Sequence, residues 1–563
     1  MSANLHYEVF LKKNKKAGWA LHDALKDRDS AIRMAHSLLA QHKDGSVRVT
    51  KEHFNEDKTF RTVPVFQGGA EQYGAVQEKE HKATLPCLTP DDLAKPHARD
   101  TIRRSLGGWL ERKAAVPMEL LHRPDLVEDL EAAGTEMQHA VQKVAVASAR
   151  DNEANVHDLV KQLNDLVQRS LGRLYKDQRE GRIQTYPKGK DFNEVAQAIH
   201  DNDARAYALR SAIADHLKTA RNFGGKLDML LDLADKLPVA EDAREFARKE
   251  LDEYLADVIS FEAGREALLG KCNDLGETVI RLTCLFDGDE GADEIRNAPK
   301  AAKRVAEKIR DGELDACRAV VASNLLKELE RPKRLRPSSV KDEVRMAREL
   351  ARKLVMSPDA ALPTDQLIKA FSMRSARLLQ PETIDEYLRY ANDANEELDR
   401  LVALEENIVG EANKKKLAGY IRNQLGTNKT EQFFVRGTAR PMERLAMLTA
   451  LQTRVAKSSY PAPDKADLMA GFDQLGMKVI DESKILNAVE AGNRPALDTA
   501  EALLKLATAG ALPLGQCSAD AQARALRKIK SEAGLREAQT PEARDKLRQI
   551  QSMLEQLAGR KAA

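Results

Sequence analysis

A mainly α fold, a body of antiparallel helix hairpins preceded by a small N-terminal α+β (ββαββ) domain, is what this sequence predicts. Three observations carry the prediction. Aromatic residues make up only 4% of the 563 positions and charged residues 32%; abundant Ala, Leu, Glu, Lys and Arg lose little side-chain entropy in helices, and sheets lack the bulky groups they pack with. Period-two alternation is confined to residues 5–66. Beyond a Gly-rich, charged stretch at 68–86, apolar residues recur at helical spacing almost to the end.

The first domain, 1–67, is read element by element. HYEVF is a strand, KKNKKAG a polar turn and GWALHD the hairpin partner. Asp27 or Asp29 caps a helix to about His42 that turns Ile32, Ala35, Leu38 and Leu39 to one side, with Gly45 just past its end. In SVRVTKEH, Val47 and Val49 oppose Arg48 and Thr50, the mark of a half-buried strand. TFRTVPVF closes the sheet at an edge, because Pro64 cannot donate to a ladder.

Residues 68–97 read as a linker, 98–330 as a helical domain, 331–341 as a basic, Pro-containing hinge and 342–563 as a second helical domain. About fifteen to eighteen helices are expected, most of 10–20 residues. KLDMLLDLADKLP sets Leu227, Leu230, Leu231 and Ala234 on one face and stops at Pro238. Between Ile384 and Leu425 the heptad register fails at NDAN and at Gly410, so separate helices are expected there and not a long coiled coil. The last helix should begin at Thr540-Pro541, bury Leu547, Ile550, Leu554 and Leu557, and end at Gly559.

Charge is unevenly distributed. Residues 228–294 hold 19 acidic and 7 basic side chains, and residues 300–353 hold 16 basic and 9 acidic. Solvated helix faces, opposed surfaces within one molecule and separate partner surfaces all fit that pattern. The whole chain carries only +2, too little for a global field that draws in nucleic acid or an anionic membrane. The opening MSANLHYEVFLKKNKK shows no secretory pattern, and no stretch approaches the roughly 18–20 apolar residues of a membrane span. Five scattered cysteines without a CxxC pair suit a reducing compartment, so a cytoplasmic location is expected.

All twelve histidines lie at or before His216. Glu-x-x-His occurs at Glu78/His81, Glu119/His122 and Glu136/His139; on a helix this spacing places both side chains on one face, as in di-iron bundles. Glu119, His122, Glu136 and His139 are therefore metal-ligand candidates, against the reading that they are ordinary polar residues. DGDEGADE (287–294) begins like a calcium loop, but Ala292 and Ala298 stand where glycine and the bidentate glutamate are required. GFDQLGMK has two glycines of a phosphate loop with Met477 in place of the lysine. Ser338-x-x-Lys341 lacks the companion motifs of its hydrolase class.

Partner contacts are sought at two basic sites: Lys12, Lys13, Lys15, Lys16 and Trp19 around the first turn, and Lys333, Arg334 and Arg336 in RPKRLRPSSVK. In the latter, Pro332 and Pro337 break the helix, and Ser338 or Ser339 can cap the next one. The function expected is a cytosolic, non-catalytic interaction, scaffold or regulatory protein that binds protein partners through helical surfaces, without cofactor and away from membranes. The alternatives are a nucleic-acid-linked regulator using the basic N-terminal domain, and an enzyme or metal-binding protein using the early His and Glu residues.

Overall fold

The computed structural model describes residues 5–13, 20–25, 27–42, 45–54, 60–69, 87–152, 155–201, 204–356, 362–541 and 543–562. The fold is mainly α, with 28 α-helices among the described residues and one small sheet at the N-terminus. It divides into two compact units, residues 1–86 with 145–159, and residues 87–144 with 160–563.

In the first unit, β1 (Leu5–Lys12), β2 (Ala20–Leu25), α1 (Arg28–Gln41), β3 (Ser46–Phe54) and β4 (Phe60–Gly69) follow the expected order. All pairings are antiparallel and the sheet order is β2-β1-β3-β4. Alternation puts Tyr7, Val9 and Leu11 of β1 and Val47 and Val49 of β3 on the buried face. Asp27 is the cap of α1, accepting from Ser30 N at 2.8 Å. Ala31, Ala35 and Leu38 form its buried line, while Ile32, expected on that face, is half-buried. Pro64 sits on edge strand β4 beside a register shift between Val49 and Thr50, where a missing N–H costs least.

In the second unit, helices pack on sequence neighbours and then on the pair beyond. Helix Glu241–Ser260 packs on Asp315–Glu330, that on Thr364–Leu378, and so on through Glu411–Leu425, Ala462–Ser483 and Gln516–Ile529. A second series pairs Phe223–Ala234 with Lys300–Arg310, Leu275–Asp287 with Val340–Met356, Ala394–Leu404 with Pro441–Lys457, and Ala496–Thr508 with Ala543–Ala562. Helix Val340–Met356 serves two apolar clusters. Val340 and Val344 join the one running to Leu557, and Met346, Ala347, Leu350 and Leu354 join the one beginning at Leu106.

The separate helices expected between 384 and 425 are present, with Asp393 capping one and Gly410, at φ 96°, breaking the chain before the next. Helix Phe223–Ala234 buries the predicted Leu227, Leu230, Leu231 and Ala234. Two expectations need correction. Helices are more numerous, because short ones such as Pro117–His122 and Pro381–Leu388 lie between prolines or turns and carry too few residues to show a period. The last helix runs through Gly559 to Ala562; one interior glycine costs only about 1 kcal/mol, which packing of the apolar stripe outweighs.

Several helix ends in this unit are closed by side chains of other helices. Asp252 accepts from Ala316 N and Cys317 N at 2.7 and 2.9 Å, and Asp473 from Gln516 N and Cys517 N at 2.6 and 2.9 Å. Gly515 permits the second clamp, since a Cβ there would come 2.3 Å from Asp473 Oδ2. At C-termini the clamps are cations. Lys226 reaches Leu217 O, and Arg444 donates to Phe434 O and Val435 O at 2.6 Å. Each relieves backbone groups that a helix cannot satisfy itself, with the sign its dipole favours.

Candidate functional site

The metal-ligand candidates are held by other partners. Glu119 is fully buried on helix Pro117–His122; both its oxygens lie at 2.5 and 2.6 Å from Lys226 Nζ, and Arg123 adds a bond of 2.9 Å. Burial holds the Lys226 ammonium below its ordinary range despite that partner. His122 turns Nδ1 to Met118 O at 2.8 Å and packs its ring 5.0 Å from Tyr207. Burial, aided by the charges of Arg210, Arg173 and Arg99, lowers its pKa to about 3, so it is neutral. Glu136 pairs with Arg112 at 2.9 Å, and His139 is exposed one turn on. Among the described residues no group of three or more His, Cys, Asp or Glu is placed to hold a metal ion. The pattern marks a buried ion pair and a neutral core histidine.

The other weak motifs resolve similarly. GFDQLGMK lies inside the continuous helix Ala462–Ser483. In DGDEGADE, Gly288 terminates a helix in the left-handed region at φ 68°, and Glu290 pairs with Arg310. Of the N-terminal candidates, Lys12 ends β1 and Lys13 is exposed just beyond it, while Lys15, Lys16 and Trp19 lie outside the described residues.

RPKRLRPSSVK is fastened at most of its residues. Leu335 is fully buried, and its carbonyl accepts from Gly276 N at 2.9 Å. That approach requires glycine, because a Cβ at Gly276 would sit 2.8 Å from Leu335 O and 2.4 Å from Met346 S. Ser339 Oγ accepts from Asp342 N and so caps the following helix, while Glu343 accepts from Arg336 N. Arg336 pairs with Asp274 at 2.8 Å, Arg334 with Glu386 at 2.9 Å and Arg331 with Glu328 at 2.9 Å. The carbonyls of the preceding helix are held by a distant residue: Arg374 donates to Leu329 O, Glu328 O and Lys333 O at 2.7, 2.9 and 2.5 Å. Burial and nearby Arg377 lower Arg374 to about 10, which leaves it a cation at neutral pH.

Beside this joint lies a cleft of about 1020 Å³. One wall is the face Glu262, Arg265, Glu266 and Leu269 of helix Glu262–Leu269 with the loop Gly270–Asp274; the other is Glu328, Arg331, Lys333, Arg334 and Pro337. Of the three basic-joint candidates, Lys333 alone keeps its charge unpaired, since Arg334 and Arg336 are spent on Glu386 and Asp274. Lys271, Glu262 and Glu266 are the cleft residues that sequence reasoning missed. Glu262 and Glu266 sit in a mixed-charge helix and Lys271 in the loop after it, neither of which offers a motif, and only the fold brings them opposite 331–337.

Comparison of the chain with protein-family models, curated proteins and solved structures finds no match.

Proposed function

We propose that the chain is a non-catalytic interaction or scaffold protein of the cytoplasm, docking protein partners on the outer faces of a repeat-like stack of helix pairs. The stepwise packing from Glu241–Ser260 to Gln516–Ile529 carries this reading. In such stacks each pair buries one stripe against its neighbours and leaves extended faces for recognition.

Recurrence within the unit supports a repeat-like origin. KLDMLLDL (226–233) and RLAMLTAL (444–451) each open with a buried cation that clamps the preceding helix, then bury leucines at the same spacing. The Asp252–Cys317 and Asp473–Cys517 clamps follow in the same order, down to the thiols, which donate to Asp252 O and Asp473 O. Cysteines 284, 317 and 517 are buried, and burial pushes their thiols up, as suits thiols kept reduced.

The test is affinity capture on tagged full-length protein from native lysate, with quantitative mass spectrometry against a tag-only control. Reproducible enrichment of specific proteins, insensitive to nuclease, is expected. No enrichment, or enrichment that nuclease abolishes, contradicts the reading.

A further inference from the structure

The geometry points to the cleft between helix Glu262–Leu269 and the joint 331–337 as the docking site for an extended partner segment that carries one basic and one acidic side chain. This rests on the interaction reading above and gives it a place and a chemistry.

The lining charges divide into two sets. Arg265 is engaged by Asn324 and Glu328, Arg331 by Glu328, Arg334 by Glu386, and Asp274 by Arg336. Glu262, Glu266, Lys271 and Lys333 are exposed and have no side-chain partner. Two carboxylates and two ammoniums thus face the same space unneutralised. A polyanion would be drawn by the lysines and repelled by the glutamates, so a nucleic acid fits poorly; a mixed-charge polypeptide satisfies both.

The free groups are also positioned. Arg281 donates to Leu269 O at 2.5 Å and to Lys271 O at 3.3 Å, while Arg374 donates to Lys333 O at 2.5 Å. The backbone carbonyl of each unpaired lysine is therefore gripped by a buried arginine, and a preorganised wall lowers the ordering cost of binding. Leu269 and Leu275 supply a buried apolar floor.

Spacing sets the length of the segment. Glu262 and Glu266 lie one helical turn apart, and Lys271 follows both past the helix end, about 7–13 Å from them along the wall at roughly 1.5 Å per residue. An extended chain advances about 3.3 Å per residue, so the basic and acidic residues of the partner stand two to four positions apart. The basic one meets Glu262 and Glu266, and the acidic one meets Lys271 and Lys333.

The probe is a random nonapeptide display library panned on full-length protein. Enriched peptides are then measured by fluorescence anisotropy against wild type, Lys271→Glu/Lys333→Glu and Glu262→Lys/Glu266→Lys. Because all four positions are exposed, circular dichroism should show both variants folded. Enrichment of sequences with a basic and an acidic residue two to four apart is expected, with at least tenfold weaker binding to either variant. No enrichment, enrichment of uniformly charged peptides, or equal affinity for the variants overturns the proposal. If lysate partners are captured equally by wild type and both variants, the cleft assignment fails while the interaction reading stands. If nothing is captured from lysate, the broader reading fails by its own test.

Discussion

Lys226 is 1% exposed and Glu119 fully buried, and they meet with Arg123 inside the second unit. Taking both charges out of water is costly, so the pair adds little net stability while intact but much is lost if one partner goes. Lys226→Met should destabilise by about 3 kcal/mol in urea unfolding, and Lys226→Met with Glu119→Gln should recover part of that. His122 gives a pH signature. Its ordinary pKa is 6.5 and its folded value about 3, so between these the unfolded chain binds a proton the folded chain refuses. Its contribution is complete above about pH 6.5 and is lost as pH falls toward 3. Between pH 7 and pH 4.5 the wild type should therefore lose about 2–3 kcal/mol more than His122→Gln, a difference that separates this histidine from carboxylates titrating in both proteins. Equal losses would contradict it. Sequence showed the Glu-x-x-His spacing but not its meaning, because Lys226 lies 107 residues away from Glu119.

At the scale of elements, caps supplied from within the chain's own turn were legible and caps supplied by another helix were not. Asp27 is an aspartate just before an apolar period, and the sequence marks it as a cap. Asp473 lies in the middle of helix Ala462–Ser483, where sequence reads only a residue of weak helix propensity; its partner amides are 43 and 44 residues on. Asp473→Ala should cost about 1–2 kcal/mol and Asp473→Asn less, since an amide oxygen still accepts. Arg374 is the corresponding clamp at a C-terminus. Arg374→Met should lower stability by about 2–3 kcal/mol and speed amide hydrogen exchange around residues 328–335, with helix Ala462–Ser483 unchanged. The basic segment 331–341 shows the limit of composition. Its prolines and capping serine were readable, but that its arginines are spent on Glu386 and Asp274 depends on helices brought in from elsewhere.

Across the whole molecule, the opposed charge blocks are partly answered internally. Arg304 pairs with Asp232 and Asp235, Arg310 with Glu290, and Arg336 with Asp274. Such pairs contribute little singly, about 0–1 kcal/mol each, and they neutralise part of the basic block. The mainly α class was legible because a 3.6-residue period survives in most long helices, Lys300–Arg310 and Val340–Met356 among the clearest. Which helix stacks on which was not: Asp315–Glu330 and Thr364–Leu378 meet through apolar stripes and through Arg374 on the carbonyls of Glu328 and Leu329, and neither carries a sequence label for its partner. No helix among the described residues is long and apolar enough to cross a membrane. The central claim is that polypeptide partners dock on the helical body. Cross-linking mass spectrometry on full-length protein with its captured partners tests it most directly. The account predicts intermolecular cross-links from body lysines, Lys271 and Lys333 among them; cross-links confined to lysines of the N-terminal unit would contradict it.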